Sequence, residues 1–308
     1  LENGLMIVRP RRGFLPLFLT LQGSVLPAVM PQVILVASLA AAAFAVHEIY
    51  PNYFPNYGLA PFSILGLMLS LLLGFRNNAS YARWWEARQQ LGSLLVQCRA
   101  LARLSMSYLV AAPPIQQRCM LLIRAFSRAL LYELRSRPLH GALDELLDEH
   151  SCNLIYKANN PADQVLRLLS LEIAKAQQQG QLSDILVTTF EAHISAMTEI
   201  QAACERLHNT PIPFAYMLLV HRTAYLFCFL LPFGLVASFG ISAPFISALV
   251  AYAFFGLDAR SEELEEPFGE RPNQLPLFVI ERTIEINVLE AQGLPTPEPL
   301  KPQGYWLN

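Results

Sequence analysis

The sequence predicts an all-α membrane protein, with four transmembrane helices per subunit and a large helical cytosolic domain. Two observations carry that prediction. The chain is 54% hydrophobic and only 15% charged over 308 residues, well below the charge of an ordinary soluble protein. None of its 22 Lys and Arg or 24 Asp and Glu residues falls within 13–46, 51–75 or 223–257, while the remainder carries soluble-like charge and helical periodicity. This division excludes a purely soluble enzyme, a disordered chain and a coiled coil. It organises the chain into an N-terminal segment with transmembrane helices 1 and 2 (1–75), a cytosolic helical domain (76–222), transmembrane helices 3 and 4 (223–257) and a cytosolic C-terminal segment and tail (258–308).

Arg9, Arg11 and Arg12 read as cytosolic anchors of the first span. A signal peptide is set aside, because the apolar run outlasts an h-region and two later stretches still require a bilayer. Met6 reads as the native start. Pro27 and Pro31 are tolerated near a helix start, and residues 32–50 rise ~28 Å at ~1.5 Å per residue before Pro51 ends the span. Residues 52–60 form a turn-rich connection. Pro61 opens a second helix that runs through Phe75 into charged sequence; its apolar part covers ~22 Å, a length more comfortable inside an oligomer than against lipid. The third stretch divides at Ser238-Phe239-Gly240 and Pro244 into helices over about 223–237 and about 244–257. Between the span pairs, residues 115–137, 163–179 and 182–207 show helical spacing, the last through Leu182, Ile185, Leu186, Thr189, Phe190, Ile194 and Met197. Pro295, Pro297, Pro299 and Pro302 predict an extended tail. The connections 47–60 and 238–244 hold none of the 22 Lys and Arg, which places both termini in the cytoplasm.

A net charge of −2 offers no basic field for nucleic acid. Cys98, Cys119, Cys152, Cys204 and Cys228 are odd in number, widely spaced and free of a Cys-x-x-Cys pair, so they read as reduced thiols and not as a metal or redox site. The common phosphate-loop, zinc-protease and nucleophile-elbow motifs are missing, and no cofactor, metal or enzymatic activity is expected. His193 shares a helix with Glu191 and Glu199 and reads as structural. The charge-free stretches hold no acidic or basic group for proton coupling, which disfavours a pump. A pore asks less, since its wall and gate can be apolar. Leu67, Leu71 and Phe75, at i, i+4 and i+8, share one face of the second span and in a ring-shaped homo-oligomer would stack as three apolar rings. Ordinary bundle packing is the alternative for the same spacing. Arg83, Trp84, Trp85 and Arg88 read as interfacial anchors.

Several motifs resemble those of a known family. They are Met6-Ile7-Val8-Arg9-Pro10, Gly74-Phe75-Arg76-Asn77-Asn78 with Arg83-Trp84-Trp85-Glu86-Ala87-Arg88, and Glu265-Glu266-Pro267-Phe268-Gly269 followed by Arg282-Thr283-Ile284-Glu285. In this order and around four spans they resemble the bacterial bestrophins over nearly the whole chain. The resemblance implies a homopentameric ion channel of the bacterial inner membrane, with one central pore, a transmembrane neck and a helical cytosolic vestibule. Its partners would be further copies of the chain, membrane lipid and permeant monovalent ions. The family's three neck rings match Leu67, Leu71 and Phe75; its cytosolic aperture matches Ile185, with Leu182 one turn earlier.

Eukaryotic bestrophins bind calcium through an acidic run after Pro-Phe-Gly. Here that place reads Glu270-Arg271-Pro272-Asn273-Gln274, a poor ligand set, so calcium-independent opening is expected. Glu262, Glu263, Glu265 and Glu266 read as a solvated or ion-paired helix end. Glu48, a charge at the outer mouth, would repeat around a pentamer and favour cations. Bacterial relatives also look cation-permeable, so the expected ion is a monovalent cation such as sodium. An anion (chloride) channel of the same architecture is the alternative, and a membrane-anchored scaffold or binding protein is the rival from another class.

Overall fold

Proline and glycine punctuate this chain, and most of its helices begin or end at them. The computed structural model describes residues 6–7, 20, 23–51, 58–302 and 306–307. Arg9, Arg11, Arg12 and residues 52–57 of the expected connection lie outside the described residues. Helix α1 (Leu26–Ile49) carries Pro27 in its first turn and ends where Tyr50 N–H donates to the Val46 carbonyl, directly before Pro51. Helix α2 (Ala60–Tyr108) has Pro61 in its first turn and no later proline, and it continues for 49 residues, about 74 Å at ~1.5 Å per residue. Helices α3 (Pro113–Leu134), α4 (Glu149–Tyr156), α5 (Pro161–Gln178) and α6 (Asp184–Asn209) follow, then α7 (Phe214–Phe239), α8 (Ala243–Glu265) and α9 (Leu277–Ala291). A 3-10 turn, Gly240–Ser242, separates α7 from α8, with Gly240 at a positive φ of 50° that favours glycine. Strand β1 (Met6–Ile7) pairs antiparallel with β2 (Trp306–Leu307), Met6 opposite Leu307. Apart from this ladder, the described regular structure is helical.

The chain forms two units of discontinuous sequence: an apolar unit of residues 10–84 and 211–266, and a polar unit of residues 1–9, 85–210 and 267–308. These limits fall beyond those set by absence of charge, because the helices outrun their apolar parts. Helix α2 enters the charged sequence with Arg76, α7 begins before His221 and Arg222, and α8 carries on through Asp258 to Glu265.

In the apolar unit, α1, α7 and α8 pack on one another. The buried seam of α1 is Val29, Val33, Val36, Ala40 and Ala43, at alternating spacings of four and three. That of α8 opens with Ala243, Ser247 and Ala251, small residues that let helix backbones approach. Three helical stretches are long and apolar enough to cross a membrane, Leu26–Ile49, Ala60–Tyr108 and Phe214–Glu265, the last interrupted by the 3-10 turn.

The polar unit is a helical body whose α3 packs against α5, α6 and α9. Two of its helix starts, those of α4 and α5, carry side-chain caps. The Asp148 carboxylate accepts from Ser151 N–H at 3.0 Å, and the Asn160 carbonyl oxygen accepts from Asp163 N–H at 2.9 Å, each satisfying an otherwise orphaned donor. Arg124 and Arg128 of α3 pair with Glu285 and Glu281 of α9, both at 2.5 Å. The proline-rich end, residues 295–302, has no regular secondary structure.

Candidate functional site

Helix α2 presents two unlike faces within the apolar unit. At about 100° per residue, Leu69, Leu73, Arg76 and Ser80 share one side, and all four are buried. Leu67, Leu71 and Phe75 lie opposite, with exposures of 65%, 56% and 65%. The three therefore do not pack into their own protomer, and intramolecular packing as the reason for their spacing is removed. Ile64, one turn earlier at 63% exposure, and the exposed Asn78, one turn later, continue the same outward stripe. The sequence reading stopped short of both, although spacings of three from Leu67 and Phe75 could have found them. Four residues are ~6 Å of helix rise, so Leu67 to Phe75 covers ~12 Å along the axis.

Next to the stripe, the buried side of α2 meets a charged girdle. Arg76 is 2% exposed. One guanidinium nitrogen, Nη1, pairs with Asp258 Oδ1, and Nη2 stands 3.8 Å from Glu265 Oε2. Asp258 Oδ2 also meets His221 Nδ1 at 2.6 Å. Glu265 Oε1 accepts from Ile212 N–H at 3.2 Å, and Arg83 Nε–H donates to the Glu265 carbonyl at the same distance. A buried guanidinium requires such partners; both carboxylates come from α8, and His221 of α7 and the Ile212 N–H before α7 hold those carboxylates in turn. Of the solvated or ion-paired helix end expected here, Glu265 is buried beside Arg76 and Glu263 pairs with Arg260 at 2.9 Å, while Glu262 and Glu266 are exposed.

In the polar unit, Ile185 stands in the first turn of α6 and is 80% exposed. Leu182 precedes the helix and is buried. It is not one helical turn before Ile185 on a shared face, because α6 begins only at Asp184 and Ser183 before it is extended. The packed face of α6 begins instead at Phe190 and continues through Ile194 and Met197. Glu48 is exposed in the last turn of α1.

The remaining sequence candidates are held structurally. All five cysteines are free and buried, and burial pushes the Cys119 and Cys204 thiols up to about 12, leaving them inert as nucleophiles. His193 Nδ1 meets Gln97 Oε1 at 2.7 Å, not a carboxylate. Glu270 pairs with Arg137 at 2.7 Å, and Gln274 Oε1 accepts from Arg271 N–H at 2.5 Å, closing the loop after Pro267-Phe268-Gly269 on itself. Among the described residues, no group of three or more His, Cys, Asp or Glu side chains is placed to hold a metal ion.

The profile of a family described as Bacterial/Fungal Bestrophin protein matches residues 6–290. The chain belongs to this bestrophin family. Bestrophins are ion channels, not enzymes. Among curated relatives, a voltage-dependent anion channel-forming protein of Mesorhizobium japonicum is 40% identical over 308 residues, all of this chain and 99% of that one. A protein of the same description from Escherichia coli is 39% identical over 285 residues, 92% of this chain and 93% of its own. Among solved structures, the bacterial bestrophin homologue of Klebsiella pneumoniae superposes with a TM-score of 0.84 at 36% identity, covering 87% of this chain and 99% of that one. The bestrophin fold, inferred from motifs, is thereby borne out.

Proposed function

We propose that this bestrophin forms a homopentameric channel of the bacterial inner membrane, with both termini cytoplasmic and four crossings per subunit, made by α1, the first part of α2, α7 and α8. Leu67, Leu71 and Phe75 line its neck and Ile185 its cytosolic aperture. One observation carries the reading: Leu67, Leu71 and Phe75 are exposed in the protomer, on the side of α2 opposite the buried Leu69, Leu73 and Arg76. In a ring of subunits they face one another across the axis, where an apolar constriction passes ions by partial dehydration or closes by dewetting. Opening needs no calcium, because the loop after Gly269 offers Arg271 and Pro272 where carboxylates would be needed.

The permeant ion is proposed to be a monovalent anion such as chloride. The relatives' names support this over the cation reading that Glu48 and the resemblance to bacterial bestrophins suggested at first. The cation reading keeps one observation in its favour, the exposed Glu48 at the end of α1, repeated around a ring. Reversal potentials of the purified protein in a planar bilayer under a sodium chloride gradient separate the two. A chloride-directed potential is expected, a sodium-directed one keeps the channel and reverses its selectivity, and lasting silence from intact oligomers moves the reading towards a scaffold.

A further inference from the structure

The charged girdle opens onto a cleft of about 420 Å³, a size typical of small-molecule sites. It lies within the apolar unit, beyond the charge-free part of each helix that contributes to it. One wall is apolar, made by Ile212, Phe214, Met217 and Leu218. The other is acidic, made by Glu262, Glu265 and Glu266, with Arg76 and His221 also lining the cleft.

Two features show what this lining lacks. Glu265 is 6% exposed, and its Oε2 accepts no hydrogen bond; the Arg76 guanidinium 3.8 Å away is too distant to donate one. A buried carboxylate oxygen without a donor is costly, and native structures rarely leave one so. The charge balance gives the sign of the missing group. Arg76 is neutralised by Asp258, so among the lining residues Glu265 and Glu266 leave a negative balance whether or not His221 carries a proton. An anion would be repelled. A cation that donates hydrogen bonds would satisfy Glu265 Oε2, and the apolar wall would receive a hydrocarbon body.

We propose that this cleft binds a primary ammonium group carried on a small apolar body. The group can come from a free alkylamine or from the ethanolamine headgroup of a membrane phospholipid. The site is separate from the stripe on the far side of α2, and binding there does not depend on conduction.

Titration calorimetry of the full-length protein tests it, with n-butylammonium as probe. Tetramethylammonium keeps the charge without N–H donors, and n-butanol keeps the apolar body without charge. Saturable n-butylammonium binding, at least about tenfold tighter than either control and weakened at least about tenfold in Glu265→Gln, is expected. Because Glu265 also holds Ile212 N–H, the rim double variant Glu262→Gln/Glu266→Gln, both exposed, serves as a second reading and should weaken binding several-fold. Repeating the titration in bilayer discs identifies the source. Binding lost in phosphatidylethanolamine discs but kept in phosphatidylcholine discs assigns the site to the lipid headgroup, and equal binding in both assigns it to a free amine. Absence of saturable binding, equal affinity for tetramethylammonium, or binding untouched by both variants overturns the proposal.

Discussion

Arg76 is the first charged residue after the apolar part of α2, a place from which a long cationic side chain can reach to water. The structure buries it instead, against Asp258 and beside Glu265. Removing one member of a buried ion pair strands the other, at about 3–5 kcal/mol. Arg76→Ala is therefore expected to lower the melting temperature sharply, and an unchanged melting curve would contradict the pairing. The partners lie more than 180 residues away in sequence, so no local pattern could have named them. In the polar unit, burial and the like charge of Glu205 raise the Glu133 carboxyl above its ordinary value of 4.5. A carboxyl raised in the folded state stabilises while protonated, and that contribution disappears as pH rises through the raised value. Glu133→Gln should thus melt higher than the parent at pH 8, with the difference shrinking as pH falls towards 4.5. A difference that grows on acidification would refute this.

At the scale of elements, helix boundaries were legible where proline or glycine marked them, as at Pro51, Pro61 and Gly240. Three features were not. The two-residue ladder of β1 and β2 is too short to have a period. Helix α2 continues far past its apolar part because nothing in its sequence stops it, yet uninterrupted propensity does not by itself show where a helix ends. The third is the close approach of α2 and α7, where a Cβ added to Gly234 would lie 2.2 Å from the Phe62 ring. Gly234→Ala should cost about 1–3 kcal/mol by overpacking, and Phe62→Ala in the same chain should recover part of that loss. Additive effects in the double-mutant cycle would show that the two residues do not touch. The pore stripe was legible as a spacing, but only the exposure of Leu67, Leu71 and Phe75 separates a pore-facing stripe from ordinary packing within the protomer. Leu182 continues the apolar period of α6 in sequence, yet it is buried ahead of the helix, which begins only at Asp184.

For the whole molecule, the charge-free stretches were enough to predict a membrane part and a helical aqueous part, and the motifs were enough to predict the family. The number of subunits comes from the resemblance alone, and the sign of the permeant ion depends on how copies of the chain meet. Glu48 bears on the sign. Glu48→Gln removes a negative charge from the proposed outer mouth, so the reversal potential under a salt gradient should move towards chloride; no movement would place Glu48 away from the ion path. The central claim is that the stripe on α2 is the neck. Its most direct test is the single-channel conductance of Leu71→Ala beside the parent protein in planar bilayers, with melting curves of both. A wider neck predicts a higher conductance and a stability change within about 0.5 kcal/mol, as for an exposed side chain. Unchanged conductance with a loss of ~2–5 kcal/mol, the cost of truncating a buried leucine, would contradict it.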